Sequence, residues 1–125
     1  MISFKEFRPN NDAPIYRQII MYIKRGCVAK TINNGDEMPS RRVLSALLGI
    51  NPNTVQKAFR LLEEEGIIIS SAGAKSYVTV DENKIRKIKE EILEESVSRL
   101  VKELKEMNIP LSEAVNIIGK EWNRE

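Results

Sequence analysis

The chain has 125 residues, 30% of them charged, and a formal net charge of +2, enough for one compact domain and a modest appendage. A single cysteine and no histidine exclude an internal disulfide, the common zinc sites and the usual general base of triad chemistry. The charge is unevenly spread: eleven Lys/Arg against seven Asp/Glu leave residues 1–80 at +4, and nine against eleven leave residues 81–125 at −2. That asymmetry favours a nucleic-acid partner for the first part.

Residues 1–13 read as a polar lead-in in which Ile2, Phe4 and Phe7 pack back on a neighbouring element. The segment is too charged for a secretory signal, and the longest apolar runs, such as residues 67–69, are far too short to span a membrane. The expected location is the cytoplasm. Pro14 starts a helix whose core face is Ile15, Tyr16, Ile19, Tyr22, Ile23 and Cys27. The tyrosines are compatible with a stacking platform, but packing in the core or at a domain boundary accounts for them more simply. Cys27 is expected to be a buried structural thiol. Asn33-Asn34-Gly35-Asp36 is a turn signal before a short strand at Glu37 and Met38.

The next stretch, MPSRRVLSALLGINPNTVQKAFRLLEEEG from Met38 to Gly66, reads as two helices joined by a glycine turn. Ser40 caps the first of them and Gly49 ends it, while Asn51 and Pro52 supply the cap and first residue of the next. That is a helix-turn-helix pattern, whose second helix is built to enter the DNA major groove. At about 100° per residue, Val55, Ala58, Phe59 and Leu62 cluster on one side of that helix. Asn53, Gln56, Lys57 and Arg60 fall on the other: two amides that can read adenine and two cations suited to guanine or phosphate. On the preceding helix Val43, Leu44 and Leu47 are expected to share an apolar face, with Arg41, Arg42 and Ser45 pointing away from it. A pair of ordinary amphipathic helices with solvated charges would account for the faces but not for the agreement of caps, turn and spacing.

Residues 67–71 and 76–80 are β-prone segments separated by Ala72-Gly73-Ala74-Lys75, the two strands and tip of a wing. Beyond them, Ile85, Ile88 and Ile92 make a stripe at helical spacing, and a second stripe continues through Leu93, Val97, Leu100, Leu104 and Met107. The stripe turns by roughly a quarter of the circumference between Ile92 and Leu93, which predicts packing against two different surfaces. Pro110 and Ser112 mark a break and a new start, after which Leu111, Ala114, Val115, Ile118 and Trp122 share a face. Two such helices cannot bury both stripes alone. A partner chain is the economical solution, with folding back onto the rest of the chain as the alternative.

Over residues 14–78 the chain resembles the winged-helix domain of the GntR family of bacterial transcription regulators. The matching segments are PIYRQI, GDEMPSRRVLS, LGINPNTVQKAF, LLEEEGII and the closing run from Gly73 to Val78. The NPNTVQ recognition helix and the very short C-terminal region resemble the YtrA-like subfamily. The resemblance implies DNA contacts from Arg42, from the N-terminal turn of the recognition helix and from the wing tip, and control of a transporter operon. Many relatives carry Ser-Arg-Thr-Thr where this chain has Asn51-Pro52-Asn53-Thr54. The usual Gly-x-Gly-x-Phe of the wing is replaced by Gly73-Ala74-Lys75-Ser76-Tyr77, in which Lys75 adds a phosphate contact.

The expected architecture is mainly α with a small β-wing: a winged helix-turn-helix domain over residues 1–80 and a two-helix dimerisation region over 81–125. The expected function is that of a homodimeric, sequence-specific repressor on an inverted-repeat operator. Arg42, Asn53, Gln56, Lys57 and Arg60 would read and anchor, and Ser40, Asn51 and Thr54 would contact phosphates, with Arg41, Gly73 and Lys75 completing the DNA surface. Ile92, Val97, Leu100, Leu104, Val115, Ile118 and Trp122 would form the dimer contact. The alternative is a winged helix serving as a protein-interaction module. No enzyme, cofactor or metal is expected, and the residues name no small-molecule effector.

Overall fold

Caps and turns set the limits of the helices in this computed structural model, which describes residues 1–71 and 75–124. Among the described residues the order is α1 (Ile15–Ala29), α2 (Arg41–Leu48), α3 (Pro52–Glu64), β1 (Ile68–Ser70), β2 (Ser76–Val78), α4 (Glu82–Glu106) and α5 (Leu111–Trp122). Ser40 Oγ accepts from Val43 N at 3.1 Å, and Asn51 Oδ1 accepts from Asn53 N at 2.8 Å. Gly49 ends α2 at φ 64° and ψ 38°, the left-handed conformation in which a side chain would be strained. Pro52 opens α3 where a missing N–H costs nothing.

The core is where α1, α2 and α3 meet. Ile19, Ile23, Cys27, Leu44, Val55, Phe59 and Leu62 are fully buried there, and Met38, Ile67 and Val78 close it from the strand side. Strands β1 and β2 pair antiparallel with Ile68 opposite Val78 and Ser70 opposite Ser76. The strand expected at Glu37 and Met38 is a single bridge from Glu37 to Tyr77, supported by Met38 N donating to Ser76 O at 2.9 Å. Residues 1–13 are anchored by apolar side chains. Ile2, Phe4 and Phe7 are buried, Phe4 and Phe7 lie 4.8 and 5.4 Å from the Tyr22 ring, and Tyr22 Oη donates to Ser3 O at 2.8 Å. Burial pushes the Cys27 thiol pKa up, which keeps it in the unreactive protonated form.

One face departs from expectation. On α2 the buried positions are Leu44 and Ser45, flanked by half-buried Arg41 and Leu48, whereas Val43 and Leu47 are 54% and 63% exposed. The helix is phased by residues 41, 44, 45 and 48, a 3–4 spacing that places a small serine against the turn. Ser45 Oγ donates to Ile50 O at 2.7 Å, so its burial leaves no orphan hydroxyl. Arg41 lays its guanidinium 4.8 Å from the centroid of the Phe59 ring, which lets a charged residue occupy a core-facing position.

Two compact units divide the chain, Met1–Lys89 and Glu90–Glu125. The first includes the opening turns of α4: Ile88 is buried, and Lys84 Nζ donates to Gly66 O at 2.5 Å and to Thr79 O at 3.3 Å. The second holds the rest of α4 and all of α5. Asn108 takes a left-handed φ of 58° and Ile109 N donates to Leu104 O at 3.0 Å, which ends α4 and prepares the turn at Pro110. Among the described residues of this unit only Ala114 is buried. Among the described residues no helix is long and apolar enough to cross a membrane.

Candidate nucleic-acid interface

The face opposite the core of α3 is polar along its length. Val55, Ala58, Phe59 and Leu62 are buried, and Asn53, Gln56, Lys57 and Arg60 are all exposed, as the angular pattern predicts. Asn51 and Ser40 are exposed at the starts of α3 and α2, and Thr54 is half-buried. Both cap oxygens are engaged by first-turn amides, so the cap role is visible in the geometry. Arg42 is exposed one residue into α2, and among the described residues it makes no ion pair.

The cations differ in how they are held. Lys57 Nζ lies 4.1 Å from the centroid of the Tyr16 ring, a contact worth about 0.5–1 kcal/mol at an exposed site. It draws the ammonium along α3 towards α1. Arg17 Nε donates to Tyr16 Oη at 3.4 Å. That hydrogen bond, together with the Lys57 charge, holds the Tyr16 phenol below the ordinary tyrosine pKa. Arg60 is 3.5 Å from Glu64 in an i, i+4 pair with both side chains more than half exposed, a contact weak enough for a phosphate to replace. Lys75 is exposed where the wing turns back into β2, with its carbonyl accepting from Ser71 N at 2.7 Å. Gly73 lies outside the described residues.

Arg41 is placed differently from its neighbour. Its side chain is 28% exposed, its Nη2 is 3.0 Å from Glu63 Oε1, and its Nε is buried without a hydrogen-bond partner among the described residues. The expectation that Arg41 points outward with Arg42 is therefore corrected. Tyr16, expected on the core face of α1, is half-buried with its ring against Lys57, and Glu63 and Ser70, which no sequence motif singles out, hydrogen-bond to each other. Arg41 stands three, four and seven residues before Leu44, Ser45 and Leu48, a spacing that fits its inward phase without selecting it over the phase of Val43 and Leu47.

The second unit offers an apolar surface. Val97, Leu100, Val115, Ile118 and Trp122 are exposed, Trp122 to 84%, and Ile92 and Leu104 are half-buried. Leu111, Val115, Ile118 and Trp122 follow one another at helical spacing on α5, and all four are exposed.

Residues 15–78 match the model of the bacterial regulatory proteins of the gntR family. The HTH-type transcriptional repressor YtrA of Bacillus subtilis (strain 168) is 40% identical over 90 residues, 67% of this chain and 69% of that protein. A GntR family transcriptional regulator from Listeria monocytogenes superposes with a TM-score of 0.80 at 30% identity, over 90% of this chain and 98% of that one. YtrA from Sulfolobus acidocaldarius, a GntR-family transcription factor, matches with a TM-score of 0.54 at 27% identity, over 89% and 90% of the two chains. The chain therefore belongs to the GntR family of DNA-binding transcription regulators, in its short YtrA-like form.

Proposed function

We propose that the chain is a homodimeric cytoplasmic repressor that binds an inverted-repeat operator. The observation that carries this reading is the bare polar face of α3, with Asn53, Gln56, Lys57 and Arg60 exposed beside Arg42 over a fully buried opposite face. Asn53 and Gln56 read base edges, since a carboxamide can offer one donor and one acceptor together to adenine. Arg42, Arg60 and Lys75 hold phosphates or guanine, Ser40, Asn51 and Thr54 border the backbone, and Lys57, drawn towards Tyr16, grips phosphate. The repressor name of the Bacillus relative supports the sign of regulation. The exposed apolar stripe of the second unit supports a second copy as its partner, because a two-fold pair would bury the same stripe from both chains.

The test is a duplex carrying the selected operator. Arg42→Ala is expected to weaken binding by about 1–3 kcal/mol with the fold intact. Unchanged affinity in a folded variant removes Arg42 from the interface. Gln56→Ala and Lys57→Ala separate reading from gripping. The first is expected to narrow the gap between operator and random DNA. The second is expected to weaken both alike and to lower the salt slope by about one. The reverse pattern, measured by anisotropy titrations at several salt concentrations, would mean that Lys57 reads and Gln56 only grips.

A further inference from the structure

Glu63 Oε1, near the end of α3, accepts hydrogen bonds from two other elements. One comes from Arg41 Nη2 of α2 at 3.0 Å, the other from the Ser70 hydroxyl of β1. Ser70 Oγ is in turn 3.1 Å from Ser76 Oγ across the hairpin. Ser76 O accepts from Met38 N at 2.9 Å, two residues before the Ser40 cap of α2. These contacts close a ring that runs from α2 through α3 and β1 to β2 and back to α2. Ser76 is buried, and the Arg41 guanidinium is partly desolvated over Phe59 with a buried, unpartnered Nε. A cation held this way tolerates few alternative positions, because losing its partner leaves a partly desolvated charge unpaired. The groups proposed to touch DNA extend from the same ring: Arg42 beside Arg41, Arg60 one turn before Glu63, and Lys75 beside Ser76.

We infer that Glu63 is a positioning residue that sets the wing against the recognition helix, so that Lys75 meets a phosphate while Gln56 meets a base. Glu63 does this without touching DNA. The inference rests on the DNA-binding reading above, and it makes a prediction of opposite sign to simple electrostatics. Removing an acidic side chain from a DNA-facing domain, and freeing Arg41, would ordinarily strengthen binding. Removing a positioning residue weakens it.

The experiment uses the full chain with the duplex selected for it. Lys75→Ala should lower the salt slope by about one in the wild-type background. In Glu63→Ala and in the milder Ser70→Ala the slope should already be lower by about that amount, and adding Lys75→Ala should change it no further. Glu63→Gln keeps an oxygen that accepts from both Arg41 and Ser70, so it should restore the Lys75 effect. Hydrogen exchange of residues 68–71 and 75–78 in the DNA-free protein should quicken in Glu63→Ala and Ser70→Ala and stay near wild type in Glu63→Gln. Tighter binding in Glu63→Ala, additive slope losses, or unchanged exchange in both variants would each overturn the inference. If the wild-type chain binds no duplex selectively, the DNA-binding reading fails by itself, and the exchange rates still decide whether the ring holds the wing.

Discussion

Ending the chain after Lys89 is expected to give a folded monomer that binds its operator about 10²–10⁴-fold more weakly than the full chain. The cut spares Ile88 and Lys84, which belong to the first unit, and removes the α4 stripe from Leu93 to Met107 and the α5 stripe. Every groove-facing side chain is retained, so a half-site should still be bound. What disappears is linkage: once one half of a dimer is seated, the other half-site is engaged at a high effective concentration. Sedimentation reads the mass and anisotropy reads the affinity. A truncated protein that remains dimeric with full operator affinity would place the assembly surface in the first unit. Val115→Glu in the full chain should shift the same equilibrium, since a charge in the middle of the stripe opposes its burial.

Phe59→Ala is expected to cost about 3–5 kcal/mol of stability, a large part of the 5–15 kcal/mol typical of a domain. Phe59 is 1% exposed between α2 and the rest of the core. Its loss opens a cavity and strips the surface against which the Arg41 guanidinium rests. Urea denaturation gives the value directly. The same measurement checks the phase of α2. Leu44→Ala should cost about 2–5 kcal/mol, as expected for a fully buried leucine. Leu47→Ala, at a position 63% exposed, should stay within about 0.5 kcal/mol. Equal costs at 44 and 47 would contradict the observed face.

Those two leucines also show where the sequence could be read and where it could not. Caps and turns were legible because each depends on one residue's own chemistry: Ser40, Gly49, Asn51 and Pro52 have the roles their types suggest. The face of α3 was legible because its apolar residues are large and its polar ones cannot be buried cheaply. The face of α2 was not. Over eight residues the apolar pattern fits two phases, and the right one buries a serine and half-buries an arginine that hydropathy places outside. What decides it is tertiary, namely the Phe59 ring under Arg41 and the Ile50 carbonyl above Ser45. Glu63 and Ser70 stayed hidden for a related reason. Their roles rest on contacts between α3 and a strand that no local spacing encodes. Among the site residues, Arg42, Asn53, Gln56, Lys57, Arg60 and Lys75 are exposed as the reading requires, and Arg41 is turned to the core side.

If the chain acts as proposed, the exposed face of α3, presented twice by a dimer, reads sequence. Selection of duplexes by the 125-residue chain from a random pool is the decisive experiment. An inverted repeat should be enriched, with binding that weakens steeply as salt rises and with selectivity that falls in Gln56→Ala. Enrichment of no motif, or of a motif that Gln56→Ala and Asn53→Ala leave unchanged, would contradict that reading.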